Sequence, residues 1–123
     1  MKDEFLSAHF RRREFACRCG CGFGLGDGDV DPGLVRALED LRFLAGRPVK
    51  VNSACRCSAH NARQGGKAAS QHLKGKAADV KINGLSPKEV ARLAERVAGF
   101  RDGGIGVYAW GVHLDVRGQR ARW

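Results

Sequence analysis

Two stretches near the C-terminal end, Ile105-Gly106-Val107-Tyr108 and Val112-His113-Leu114-Asp115-Val116-Arg117, alternate their side-chain character along the chain. A period of two marks a β-strand, because successive side chains point to opposite faces. Trp110-Gly111 lies between them, close enough for an antiparallel hairpin. What precedes the hairpin restricts the fold further. Asp31-Pro32 reads as an N-cap followed by proline at the first helical position, and Leu34, Val35, Leu38, Leu41 and Leu44 recur at helical spacing until Gly46. This predicts a helix over residues 32–45. Pro48-Val49-Lys50-Val51-Asn52-Ser53 and Ala77-Ala78-Asp79-Val80-Lys81-Ile82 predict two more strands, the second ended by Asn83-Gly84. Ser86-Pro87-Lys88-Glu89 is a capping box ahead of an apolar stripe of Val90, Leu93, Ala94 and Val97, which predicts a second helix. Residues 54–71, with Asn61, Gly65 and Gly66, predict an ordered loop with room for a helical turn; the first 30 residues predict an irregular, glycine-rich segment. The order helix, strand, strand, helix, hairpin has no β-α-β alternation. It predicts an α+β fold, with helices packed on a small, mostly antiparallel sheet.

A chain of 123 residues fits one domain covering 1–123 and is long enough to bury a core without disulfides. Its 43% hydrophobic and 28% charged composition is that of a soluble globular protein. No run of about 18 apolar residues is present, so no spanning helix and no membrane insertion are expected. Met1 to Ser7 lacks the apolar run of a secretory signal, which predicts a protein that is cytoplasmic at synthesis. Twenty-two Lys and Arg against 13 Asp and Glu give a net charge of +9, which attracts polyanions. That charge is spread along the chain, apart from Arg11-Arg12-Arg13 and Arg117, Arg120 and Arg122, and therefore reads as steering rather than base recognition. Aromatic residues, at 7%, form no stacking series, and no recognition-helix pattern is visible, so nucleic acid is not an expected partner.

In the last strand His113, Asp115 and Arg117 share one face, opposite Val112, Leu114 and Val116. Alone, this reads as the solvated face of a half-exposed strand. A second feature bears on it. His72 stands at the end of a loop and Asp79 at the opening of a strand, with Gly75 between them to let the backbone turn sharply. Two imidazoles and one carboxylate form an open zinc set with the fourth tetrahedral position left for water. Its net positive charge suits water acidification and carbonyl polarisation. On the residues alone, a gapped trio of His72, Asp79 and His113 is evenly balanced against unrelated surface groups.

Ser-x-His-x-x-Gly-x-Ala-x-Asp, spelled from Ser70 to Asp79 and followed by Val112-His113-Leu114-Asp115, resembles the zinc-binding signature of the M15 peptidases. That family comprises D-alanyl-D-alanine carboxypeptidases and related peptidoglycan endopeptidases, and shares its fold with the Hedgehog signalling domain. Leu6-Ser7-Ala8-His9-Phe10 with Glu14-Phe15, Val51-Asn52-Ser53-Ala54-Cys55-Arg56-Cys57 with His60-Asn61, and Gly65-Gly66 resemble its compact phage and prophage branch, the branch of endolysins. The resemblance implies Zn2+ held by His72, Asp79 and His113, with zinc-activated water cleaving an amide of the peptidoglycan stem peptide. It implies that Arg56 meets a substrate carboxylate and that Ser70 supports the site by hydrogen bonding. It further implies a monomer acting at the bacterial cell wall. Many members carry an acid three residues before the second histidine, as general base; here that position is Trp110. Asp115, the nearest carboxylate, is expected to take the proton, or else to orient a ligand or Arg117. Asp102 is a remoter choice, and His60 and His9 read as structural or substrate-side. The missing acid leaves a rival reading, a non-catalytic zinc-stabilised module that binds the wall or a partner.

Cys17, Cys19 and Cys21 form one cluster, and Cys55 and Cys57 another. Cysteines two apart are awkward to bridge to each other. A cross-link or structural metal between the clusters would pin the glycine-rich loop beside the first strand. Single-residue gaps are unlike the wider gaps usual at structural zinc, and without a signal peptide reduced thiols are the expected state. The odd count leaves at least one thiol free in any disulfide scheme.

Overall fold

The computed structural model describes residues 4–123. Its sheet has five strands in the order β1-β2-β4-β3-β5: β1 Lys50–Ser53, β2 Ala77–Lys81, β3 Gly104–Tyr108, β4 Gly111–Asp115 and β5 Ala121–Arg122. The pairs β1–β2, β2–β4 and β3–β4 are antiparallel, and β3–β5 is parallel. The α+β architecture with a mostly antiparallel sheet is therefore present, as is the hairpin. The two-residue β5 was not foreseen. Nor was the end of β4 at Asp115, where the Arg117 N–H turns to Asp115 Oδ1 at 3.1 Å.

The helices form where the caps predict them. In α1, Pro32–Ala45, the Asp31 side chain accepts from the Gly33 N–H, and Gly46 closes the helix in the left-handed region. Helix α3, Pro87–Ala94, starts with the Ser86–Glu89 capping box. It is shorter than its apolar stripe: the chain turns after Ala94, and a one-turn helix α4, Ala98–Arg101, follows. With that break, Val97 and Phe100 both enter the core. Residues 54–71 form an ordered loop that contains a short helix, as expected. They hold α2, Ser58–Arg63, and lead into a 3-10 turn at Gln71–Lys74. A second 3-10 turn, Arg12–Phe15, lies in the N-terminal segment and buries Phe15.

The strands divide the molecule. Ala78, Val80, Ile105, Val112 and Leu114 join Leu34, Leu38 and Leu41 of α1, Val90 and Ala94 of α3, and Phe100 in one apolar core. Burying each of the larger side chains, the valines, leucines, Ile105 and Phe100, contributes about 1.5–3 kcal/mol. The opposite face carries a different row. In register across four strands stand Ser53, Asp79, His113 and Gly106. The N-terminal segment and the loop bearing α2 and the 3-10 turn lie beside this row.

Candidate metal centre

Asp79 on β2 and His113 on β4 are register partners, so their side chains leave the sheet side by side. His72 reaches them from the 3-10 turn, whose entry is fixed by Ser70: its Oγ accepts from the His72 N–H at 3.2 Å. Gly75 ends the turn at φ +67°, and its carbonyl accepts from the Asp31 N–H at 3.0 Å. A Cβ at Gly75 would meet the Asp29 carbonyl oxygen at 1.8 Å, so only glycine fits this return towards β2.

The tautomers follow from the outer contacts. His72 Nδ1 donates to the Ala54 carbonyl at 2.6 Å, which leaves Nε2 as a lone pair 3.1 Å from Asp79 Oδ1. In His113 the two nitrogens exchange roles. Nε2 donates to Asp115 Oδ2 at 2.7 Å, and Nδ1 faces Asp79 Oδ1 at 3.3 Å. Two ring lone pairs and a carboxylate oxygen thus converge, all within 4.8 Å of one another. Such a set is satisfied by a positive charge among its members, whether a proton or a metal cation. A tetrahedral ion with bonds of about 2.0–2.1 Å sets its ligand atoms about 3.3–3.4 Å apart, and the donor set is one that zinc takes. The separations of 3.1 and 3.3 Å fit that spacing. Three protein donors leave one position open.

All three residues are buried, with exposures of 2% for His72, 6% for Asp79 and 8% for His113. The polar face of β4 is therefore not a solvated one. Burial opposes ionisation of Asp79, but when a ring nitrogen facing it carries a proton its bonds with His113 and His72 outweigh that and hold the carboxyl below the usual carboxylate range. Burial likewise lowers the pKa of His113, while Asp115 and Asp79 more than compensate and raise it.

Asp115 is wholly buried on the far side of His113 from Asp79. Its Oδ1 accepts from the Gly104 N–H at 2.9 Å, and the Arg117 guanidinium grips both oxygens, with Nε to Oδ1 at 2.9 Å and Nη2 to Oδ2 at 2.7 Å. Desolvation is again outweighed, here by the bonds with His113 and Arg117, which keep the carboxyl ionised well below its usual range. Ala77 is its register partner on β2, and a Cβ at Gly104 would clash with the carboxylate; small neighbours make the room.

Arg56 is drawn to the centre rather than left as an open fork. Its Nε donates to Ser53 Oγ at 3.0 Å and its Nη2 to Asp79 Oδ2 at 2.6 Å. Nη1 reaches Asn61 Oδ1 at a long 3.5 Å, so this prong is the least committed.

The remaining candidates stand apart from the trio. His9 pairs with Glu39 at 2.7 Å, His60 sits on α2, and exposed Asp102 follows α4 beside Arg101. Trp110 occupies the turn before β4 and stacks on Tyr108, with ring centroids 4.9 Å apart. Sequence reasoning missed Trp123. Its ring lies 5.0 Å from His113, its indole N–H donates to the Tyr108 hydroxyl at 2.6 Å, and the Arg117 guanidinium lies 5.4 Å from its centre. Gly106 admits it: a Cβ there would stand 2.3 Å from the indole nitrogen. A glycine interrupting an alternating strand is the signal that could have pointed to a close approach.

A family model described as Peptidase M15 matches residues 8–115, a span that contains His72, Asp79, His113 and Asp115. The chain belongs to the M15 peptidase family. No curated protein matches it.

Proposed function

We propose that this chain is a single-domain zinc peptidase that hydrolyses an amide bond of the peptidoglycan stem peptide, as a D-alanyl-D-alanine carboxypeptidase or a murein endopeptidase of the phage and prophage type. One observation carries the reading: His72 Nε2, Asp79 Oδ1 and His113 Nδ1 converge while each ring's other nitrogen is tied back, to Ala54 and to Asp115. Zinc held there supplies Lewis-acid polarisation of a carbonyl and lowers the pKa of water towards neutrality. The protein's part is to fix the orientation of both imidazoles by tying back one nitrogen of each, so that the other is aimed at one point. Asp115 does this for His113 and Ser70 for the turn that carries His72. Arg56 steadies Asp79 and offers Nη1 to a substrate carboxylate, for which a guanidinium is well shaped. Trp123 shields one side of His113. The net charge of +9 suits an anionic wall polymer met at the bacterial cell wall.

The non-catalytic alternative draws support from Trp110 at the position of the usual acid and from the engagement of Asp115 with Arg117. Purified peptidoglycan incubated with zinc-loaded protein distinguishes them. Release of D-alanine or of cleaved stem peptides, abolished in His113→Ala, is the expected result. Zinc-dependent binding to peptidoglycan without any product would establish the alternative.

A further inference from the structure

Four of the five cysteines meet at a second place. After Cys17 the chain doubles back through Gly20 and Gly22, at φ +83° and +96°, and the Gly20 N–H donates to the Cys17 carbonyl at 3.1 Å. This brings Cys17, Cys19 and Cys21 to one side of the loop, where Cys57 arrives from the connection between β1 and α2. The Sγ atoms of Cys17 and Cys19 are 3.4 Å apart, those of Cys19 and Cys57 3.6 Å, and those of Cys17 and Cys57 3.9 Å. The Sγ of Cys21 completes a group lying within 4.8 Å throughout. None of the five cysteines is bridged. Backbone N–H groups also point at the sulfurs: Cys57 N–H at Cys17 Sγ and His60 N–H at Cys57 Sγ, both at 3.4 Å. Cys55 stands apart, buried and turned to the Asp29 carbonyl at 3.8 Å.

We propose that Cys17, Cys19, Cys21 and Cys57 form a second metal site, a closed tetrathiolate that takes zinc and fastens the N-terminal loop to the β1–α2 connection. Zinc–sulfur bonds of about 2.3 Å in a tetrahedron separate the sulfurs by about 3.8 Å. The three separations given above bracket that value, whereas a disulfide needs about 2.05 Å. Soft thiolates select zinc over hard cations such as magnesium or calcium. With four protein ligands the site has no open position, so its role is structural. The single-residue gaps, unusual for such a site, are accommodated by the two left-handed glycines. The loop is tied independently to β1 itself by Arg18, whose guanidinium donates to the carbonyls of Glu14, Val51 and Asn52.

The site is independent of the peptidase reading, and the test keeps them separate. The full chain, purified under reducing conditions in the presence of zinc, should carry about two zinc ions. Cys21→Ser, at an exposed position, and Cys57→Ser should each lower the content to about one, as should His113→Ala. Cobalt replacement tells the two sites apart, since only thiolate ligation gives sulfur-to-cobalt charge-transfer absorption in the near ultraviolet. That band should be present in the wild-type chain and in His113→Ala, and lost in Cys21→Ser. A wild-type chain that is folded by circular dichroism but shows no such band overturns the proposal. So does a zinc content unchanged by Cys21→Ser, or a disulfide between any two of the four residues under reductant.

Discussion

Asp115 holds His113 by Nε2, the ring nitrogen turned away from Asp79, at 2.7 Å. A carboxylate in this place acts on the ligand rather than on anything entering from the open side. Asp115→Asn is accordingly expected to weaken zinc binding at this site by roughly 10–100-fold, with the rate restored as zinc is raised. Activity measured at limiting and saturating zinc checks this. A loss of about 10²–10⁴-fold that persists at saturating zinc would instead make Asp115 the general base.

Arg56 spans Ser53 and Asp79 with two different nitrogens, a reach that a single ammonium cannot reproduce. A charge-assisted hydrogen bond is worth about 1.5–3 kcal/mol, so loss of a substrate contact at Arg56→Lys should raise KM roughly 10–100-fold. The comparison is made with stem peptides bearing a free or an amidated carboxyl terminus. The wild-type preference for the free acid should vanish in the variant; an undiminished preference would remove Arg56 from the substrate contact.

Gly75 closes the turn that delivers His72 against the Asp29 carbonyl. Gly75→Ala brings both a left-handed alanine and a backbone collision, so it should destabilise the fold by more than about 1 kcal/mol. Urea unfolding of the two proteins measures the difference. Zinc binding at the histidine centre should fall in parallel, because Ser70, His72 and Gly75 form one turn. A midpoint equal to wild type would show that the loop can be rebuilt around a side chain.

Glu39 on α1 clamps the N-terminal segment through Ser7 Oγ at 2.5 Å, the His9 N–H at 2.8 Å and His9 Nδ1 at 2.7 Å. Burial opposes its charge, but the bonds from Ser7 and His9 win and lower its pKa. A depressed acid contributes stability above its unfolded pKa of about 4.3 and loses it as pH falls through the folded value. Glu39→Gln should therefore cost about 1 kcal/mol at neutral pH. Thermal unfolding across a pH series should find the gap from wild type closing below about pH 4. A gap independent of pH would mean that shape rather than charge sets the clamp.

The parts of this fold legible in the sequence are those decided locally. Asp31-Pro32 and Ser86-Pro87 carry their helix starts in adjacent residues, and the alternation at Val112 to Asp115 gives strand β4 and its faces. The burial of His113 and Asp115 was not legible, because it depends on partners distant along the chain, Asp79 and Gly104 among them, and on Trp123 beside the ring. β5 is two residues long; it is held beside β3 with help from Arg122, which bonds Glu95 and the Gly103 carbonyl. No periodicity can announce such a strand. The metal-ligand trio was drawn from a resemblance, and its convergence follows from the Asp79–His113 register and the Gly75 turn. For the cysteines, linear spacing pointed away from a common site, while two left-handed glycines allow one.

Residues 54–57 have consecutive, non-interchangeable attachments. The Ala54 carbonyl takes the His72 ring, the Cys55 N–H donates to the Phe15 carbonyl, the Arg56 N–H to the His72 carbonyl, and the Cys57 N–H to Cys17 Sγ. Four neighbouring residues thus address in turn the 3-10 turn that carries His72, the one before Cys17, the His72 turn again and the sulfur cluster. An inserted or deleted residue here would pass every attachment to the wrong recipient at once, whereas a substitution disturbs one. In this stretch it is the spacing, more than any single side chain, that descent cannot alter without undoing both centres together.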